Sequence, residues 1–296
     1  NTRSRGLGDV YKRQGLGLMG GSFALDVKET FKDFVIYGFD KSDEHLKLSF
    51  DLKLIDFKLD DDNISNIDLL LISVPVDETI NILPNILDKV GENTIVVDVG
   101  STKLKICEGV SNHKNRKQFL AMHPIAGTEN SGPNASVSGL YHGITNILCE
   151  VDKTDSNLLK KLMKILNNFE MKIIYMDPSS HDEHISYVSH LSHVTSFILA
   201  KTVIEKEKNE KNIFDMAGSG FESTVRLAKS SPFMWTPIFL QNKSNLVEAL
   251  EGYINNLNDL KVKIQNDDKE SIVDDLNNIN RVKKILGGIN NKNEKQ

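Results

Sequence analysis

Three groups of residues in this sequence are placed where they can do chemistry. The first is Gly15-Leu16-Gly17-Leu18-Met19-Gly20, which fits G-x-G-x-x-G and opens a helical pattern through Phe23, Ala24 and Val27. Glycines at that spacing permit a tight turn, close approach of the backbone to a pyrophosphate and packing of helix on strand, and the helix N-terminus then faces the anion. Loops of this spacing also arise by chance, so context decides, and Asp40 stands twenty positions after Gly20 at the end of the next strand-like run. An acid there accepts a hydrogen bond from the ribose 2′-hydroxyl of NAD and repels the 2′-phosphate of NADP. Its plainer role is to cap the helix that begins at Asp43, and Lys41 beside it weakens the discrimination.

The second group is His123 with Ser101. His123 ends the run Phe119-Leu120-Ala121-Met122 and is followed by Pro124 and Gly127, while Ser101 follows the run Thr94 to Val99. Both are expected at the carboxyl edge of a parallel sheet, in one crevice, where an imidazole of pKa about 6.5 suits a general base at neutral pH. Ser101 has a rival role as N-cap of the helical stretch Lys103 to Val110. The third group, His181, His184, His190 and His193, invites a metal. At about 100° per residue, however, His184 and His193 fall about 180° apart on one helix. Neither pair sits in an H-E-x-x-H frame and no thiol is near, so no metal is expected. His190 is read as a core histidine, and Trp235, Phe233 and Phe239 as core or interface residues rather than stacking platforms.

The elements that must hold these residues follow a βαβ rhythm. Runs at 34–39, 68–74, 94–99, 119–122, 144–151 and 172–175 read as strands. Helical patterns at 43–52, 78–89 and 156–169 separate several of them, which argues a doubly wound, mostly parallel sheet. Beyond Asp177-Pro178 the periodicity is helical throughout, with candidates at 179–208 and 221–229 and two more starting at Thr236 and Glu270. The expected organisation is therefore α/β: a Rossmann-type nucleotide-binding domain over 15–176 and an all-α domain over 177–296, whose tail from Asn290 frays. Residues 1–14 fit neither. They carry Arg3, Arg5, Lys12 and Arg13 against Asp9 alone, and only Val10 and Tyr11 suit the buried strand that should precede Gly15. This stretch is read as foreign to the native chain, leaving the first strand in doubt.

Composition narrows the function. With 296 residues, 39% hydrophobic, the chain can build two cores. Lys and Arg total 36 against 41 Asp and Glu, a net charge of −5, which offers no overall positive field for nucleic acid or an anionic membrane. The run Leu69 to Val76 is broken by Ser73 and Pro75 and is far too short to span a bilayer. Cys107 and Cys149 form no C-x-x-C pair and fit a reducing compartment, so the cytoplasm is expected.

Taken together, the motifs are specific. GLGLMGGSFA at 15–24, YGFDKS at 37–42, DVGSTK at 98–103, MHPIAGTENSG at 122–132, SHLSH at 189–193 and GSGFESTVRLAKSSPFMW at 218–235 resemble the prephenate dehydrogenase family across residues 15 to about 255. The resemblance implies NAD-dependent oxidative decarboxylation of prephenate to 4-hydroxyphenylpyruvate in tyrosine biosynthesis. It makes His123 the catalytic base and Ser101 the hydroxyl that helps hold the substrate's C4 hydroxyl. Arg226 becomes the guanidinium that binds a substrate carboxylate, with His193, Thr128 and Glu129 on the same wall; without the family, Arg226 reads as a surface arginine. Gly15, Gly17, Leu18, Met19, Gly20 and Asp40 are the cofactor-binding residues so implied, and the helical domain builds a homodimer. Arogenate dehydrogenase is the near rival, a catalytically silent dinucleotide-binding regulator the distant one, and dehydrogenases of 3-hydroxy acids share only the architecture.

Overall fold

The computed structural model describes residues 10–208 and 212–285. The remaining positions, which include residues 1–9 of the segment read as foreign and the tail from Asn290, lie outside the described residues. Among the described residues the strands are β1 (Val10–Gln14), β2 (Val35–Phe39), β3 (Phe57–Lys58), β4 (Leu69–Ile72), β5 (Ile95–Asp98), β6 (Phe119–Pro124), β7 (Thr145–Cys149) and β8 (Lys172–Tyr175). They form one sheet in the order β3-β2-β1-β4-β5-β6-β7-β8. All neighbours are parallel except β6 and β7, which pair antiparallel with His123 opposite Ile147. The doubted first strand is thus corrected: the backbone of Val10–Gln14 is a central strand, parallel to both β2 and β4. Its sequence lacks a long apolar run, and it is recognised as a strand by its pairing on both sides. The two-residue β3 gave no sequence signal at all.

The helices are α1 (Leu18–Thr30), α2 (Asp43–Asp51), α3 (Val76–Lys89), α4 (Leu104–Gly109), α5 (Ser156–Asn168), α6 (Pro178–Ile185), α7 (Leu191–Glu207), α8 (Ser219–Val225), α9 (Pro232–Gln241), α10 (Lys243–Gln265) and α11 (Lys269–Ile279). Side chains of a strand alternate between the two faces of the sheet, and the core divides accordingly. Leu69, Leu71, Val97 and Leu120 face one layer, with Phe23, Ala24 and Val27 of α1 and Leu158, Leu162 and Ile165 of α5. Leu70, Ile72, Val96 and Phe119 face the other, with Leu83, Ile86 and Leu87 of α3 and Ile106 of α4. Burial on both faces is why these strands read as continuous apolar runs.

Strands end at Tyr175 among the described residues, next to the expected division at 176/177, but packing continues past it. Trp235 and Ile238 of α9 enter the core layer of α3. By compactness the chain forms one unit through Lys243 and a second from Ser244 onward. In the second unit, Lys263 of α10 pairs with Asp259 at 2.7 Å and with Asp275 of α11, and Asp268 caps α11 through the Ser271 amide.

Two helical expectations are corrected. The single helix expected over 179–208 is interrupted by a π-turn at Ser186–His190, where bonds run i→i+5 and one extra residue is accommodated. The helix expected from Thr236 is two helices parted at Asn242, whose amide Nδ2 donates instead to Asp182 O at 2.6 Å and to His190 Nδ1 at 3.1 Å.

Candidate active site

The parallel strands deliver their carboxyl ends to one edge of the sheet, and the strand order reverses between β1 and β4, where a crevice opens in folds of this type. A cavity of about 480 Å³ lies there. The glycine loop after β1, Ser73 to Val76 after β4, Val99 to Ser101 after β5 and His123 to Gly132 from β6 onward form one wall. The other wall comes from Val188, Ser189, His193, Arg226 and the start of α9. Of the residues expected at the site, Gly17, Leu18, Met19, Ser101, His123, Thr128, Glu129, His193 and Arg226 therefore share one cavity. Gly15, Gly20 and Asp40 do not line it and act behind the loop.

Those three shape the loop. Gly15 has φ +90°, and a Cβ on it would meet Ser73 O at 2.4 Å; a Cβ on Gly20 would meet Gly15 O at 2.1 Å. Ser73 Oγ donates to Gly15 O at 2.7 Å, tying the turn to β4. Asp40 accepts the Leu16 amide on Oδ2 and the Ser42 amide on Oδ1, both at 2.9 Å, so it joins the glycine turn to the end of β2. Capping of α2 falls to Ser42, which accepts the His45 amide, and the plainer role weighed for Asp40 is replaced. The start of α1 fits an anion: a Cβ at Gly17 would find nothing nearer than Gly132 N at 3.9 Å, and the first turn carries no acidic residue.

His123 is buried at the end of β6, its Nδ1 2.8 Å from Nε2 of His181. Burial first, then the neighbouring His181, Lys103 and His190, hold its pKa well below the ordinary imidazole value, which corrects the expectation of about 6.5. The imidazole is neutral at neutral pH and able to accept a proton. Beneath it Lys103 is fully buried, its ammonium paired with Asp98 and donating to Met122 O at 2.9 Å. Ser101 lines the cavity but does not cap α4. That duty passes to Asp182, whose carboxylate accepts the Lys103 amide at 2.7 Å and the Leu104 amide at 3.0 Å.

On the facing wall His193 donates from Nδ1 to Ser189 O at 3.0 Å, and burial lowers its pKa. Its ring stacks on Trp235 with centroids 3.4 Å apart, so Trp235 is a core residue that is also a stacking platform, for a histidine. Arg226 reaches Glu129 Oε2 at 2.8 Å across the cavity, and Glu129 is held below the usual carboxylate range by a hydrogen bond to its own backbone and by Arg226. The turn bearing Arg226 is fixed by Ser196 of α7, whose Oγ donates to Thr224 O and accepts the Ala228 amide, each at 3.1 Å. Ser196, Asp182 and Lys103 were not singled out by sequence, and His181 stood out only as one of four histidines that invited a metal. A buried serine or lysine shows itself only when its partner, distant in sequence, is known. Among the described residues no group of three or more His, Cys, Asp or Glu side chains is arranged to hold a metal ion, and His184 is exposed.

Two family models match the chain: the prephenate dehydrogenase nucleotide-binding domain over residues 23–175 and the prephenate dehydrogenase dimerization domain over 177–278. The chain belongs to the prephenate dehydrogenase family. Within it, the crystal structure of prephenate dehydrogenase from Aquifex aeolicus in complex with hydroxyphenyl propionate and NAD+ has a TM-score of 0.83 at 32% identity, covering 97% of this chain and 99% of that one. Prephenate dehydrogenase of Bacillus subtilis is 29% identical over 272 residues, which is 89% of this chain and 72% of that protein. Cyclohexadienyl dehydrogenase of Zymomonas mobilis is 28% identical over 263 residues, covering 88% and 90%. Membership makes the chain an oxidoreductase with a Rossmann-type nucleotide-binding domain. Among the described residues no helix is long and apolar enough to cross a membrane.

Proposed function

We propose that this member of the family oxidatively decarboxylates prephenate to 4-hydroxyphenylpyruvate with NAD. The observation that carries the reading is the convergence of His123, Ser101, Arg226 and the glycine loop on one cavity. NAD fits the loop: Gly15, Gly17, Leu18, Met19 and Gly20 would hold its pyrophosphate at the start of α1, and Asp40, at the end of β2, its ribose. When bound, NAD supplies the acceptor for the hydride that leaves the carbinol carbon, as the ring carboxylate departs as CO2 and the ring becomes aromatic.

The chain's own residues do the rest. His123 accepts the proton of the substrate's C4 hydroxyl while negative charge leaves as hydride, then returns it to the phenolic oxygen. Ser101 holds that hydroxyl beside the imidazole. Arg226 offers a planar fork to a substrate carboxylate, displacing Glu129 from it. His193, with Nδ1 committed to Ser189, leaves Nε2 for the substrate, and Thr128 closes the same wall. The helical segment from residue 177 serves as substrate and dimerisation domain, with a homodimer as the assembly. Exposed Ile254, Leu257, Val273, Leu276 and Ile279 suit such an interface.

NADH formation with prephenate or arogenate, each with NAD and with NADP, tests the reading. Prephenate with NAD is expected to be the fastest pair, and His123→Asn to lower kcat by about 10³-fold. Turnover of neither substrate by the wild type would leave a binding protein only.

A further inference from the structure

We propose that His181 and Asp182 are positioning residues for His123: a carboxylate–imidazole–imidazole chain that fixes which nitrogen of His123 is bare and receives the charge it acquires. The proposal rests on the reading of His123 as the base. Its geometry is continuous. Asp182 Oδ1 lies 2.8 Å from His181 Nδ1, and His181 Nε2 lies 2.8 Å from His123 Nδ1. His181 and Asp182 are buried, and neither is free to turn. The Asp182 carboxylate also accepts the amides of Lys103 and Leu104, and its carbonyl accepts Asn242 Nδ2.

The protons can be assigned from chemistry. An ionised carboxylate only accepts, so the hydrogen between Asp182 and His181 sits on His181 Nδ1. A neutral His181 then presents a lone pair at Nε2, and His123 must donate to it from Nδ1. His123 is left with a bare Nε2, the form a base needs. The opposite arrangement would place a second proton on His181. That imidazolium would be buried close to the ammonium of Lys103, and burial already drives the His181 pKa down against the pull of Asp182.

When the substrate's O–H bond breaks and an N–H bond forms at Nε2, His123 becomes an imidazolium. Its Nδ1 proton can pass to His181 Nε2, so the charge moves next to the Asp182 carboxylate; the reverse transfer restores both rings when the proton returns to oxygen. The charged and titratable groups facing this chain are Lys103, Asp98 and His190 as well as Asp182. Lys103 and His190 oppose protonation of His123, so the Asp182 charge, reached through His181, is the compensating one. In sequence His181 stands out only as one of four histidines that invite a metal, and Asp182 only as its neighbour near a helix start.

The test pairs kinetics with a direct view of the proton. Nitrogen-15 NMR of labelled histidine in the wild-type protein is expected to show His123 protonated at Nδ1 and bare at Nε2. His181→Phe removes the acceptor. It is expected to lower kcat by about 10²-fold, with KM for prephenate and the Kd for NADH within about twofold, and to shift His123 toward the Nε2–H tautomer. His181→Gln, whose carbonyl can accept from Nδ1, is expected to regain about tenfold of that loss, and Asp182→Asn to lower kcat and displace the acid limb of its pH profile. NADH titration shows which variants retain their fold. A wild-type His123 protonated at Nε2, or a folded His181→Phe with unchanged kcat and pH profile, would overturn the proposal. A wild type that turns over neither prephenate nor arogenate overturns the functional reading instead, and the NMR result still decides the proton arrangement.

Discussion

Arg226 shows how a residue legible only as a guanidinium in sequence acquires a role from its partner. Its fork is already engaged by Glu129 at 2.8 Å, while about half of its side chain remains open to solvent. Substrate binding is therefore an exchange of one carboxylate for another, and a pair this exposed is worth little by itself. Arg226→Ala is expected to raise KM for prephenate by about 10- to 100-fold, the cost of losing a charge-assisted pair, with kcat changed far less. Arg226→Lys should recover only part, because a point charge cannot make two parallel bonds. Steady-state kinetics decide it, and an unchanged KM would remove Arg226 from the site. His123 carries the complementary lesson. Its type and place at a strand end were readable in sequence, but its lowered pKa was not, because burial and the proximity of Lys103 arise only from folding.

At the scale of elements, most of the sheet was readable because strands buried on both faces must be apolar, as in Leu69–Ile72 and Ile95–Asp98. What escaped had other causes. Val10–Gln14 is a strand by virtue of its two neighbours, β3 is two residues long, and the break at Asn242 serves bonds to Asp182 and His190. Ser101 looked like the cap of α4 because serine just before a helical stretch is a favoured cap, whereas the capping carboxylate comes from Asp182, 79 residues away from Lys103. The glycine loop was readable by spacing, and its geometry sets a test. The Cβ of Gly20→Ala would meet the backbone carbonyl of Gly15 at 2.1 Å, and a backbone atom cannot swing aside. Overpacking of this kind costs about 1–3 kcal/mol, so the Kd for NADH is expected to rise about 10-fold or more in a fluorescence titration while the urea midpoint moves modestly. Unaltered NADH affinity would show that the loop does not hold the dinucleotide.

For the whole molecule, the buried histidines make stability depend on pH. His123, His181 and His190 are all held below the ordinary imidazole value by burial, His190 to about 4. Each is neutral when folded and free to protonate when unfolded. Their stabilising effect is therefore complete above the unfolded pKa of about 6.5 and is lost as pH falls below it, because the unfolded chain then binds more protons. Between pH 6.5 and 5 His190 alone should remove about 2 kcal/mol. Urea unfolding at pH 7, 6 and 5 is expected to show a falling midpoint, with a shallower fall in His190→Asn; a midpoint constant over that range would contradict it.

The π-turn at Ser186–His190 has a further meaning. His181 and Asp182 precede it and meet the sheet, while His193 follows it and meets the cavity's opposite wall. The surplus residue works as a phase shifter between two functional faces of one continuous rod. What keeps the two walls of the site in step is then a count of residues rather than the identity of any of them, and a chain shorter by one at Tyr187 would keep every functional side chain and still turn one wall away from the other.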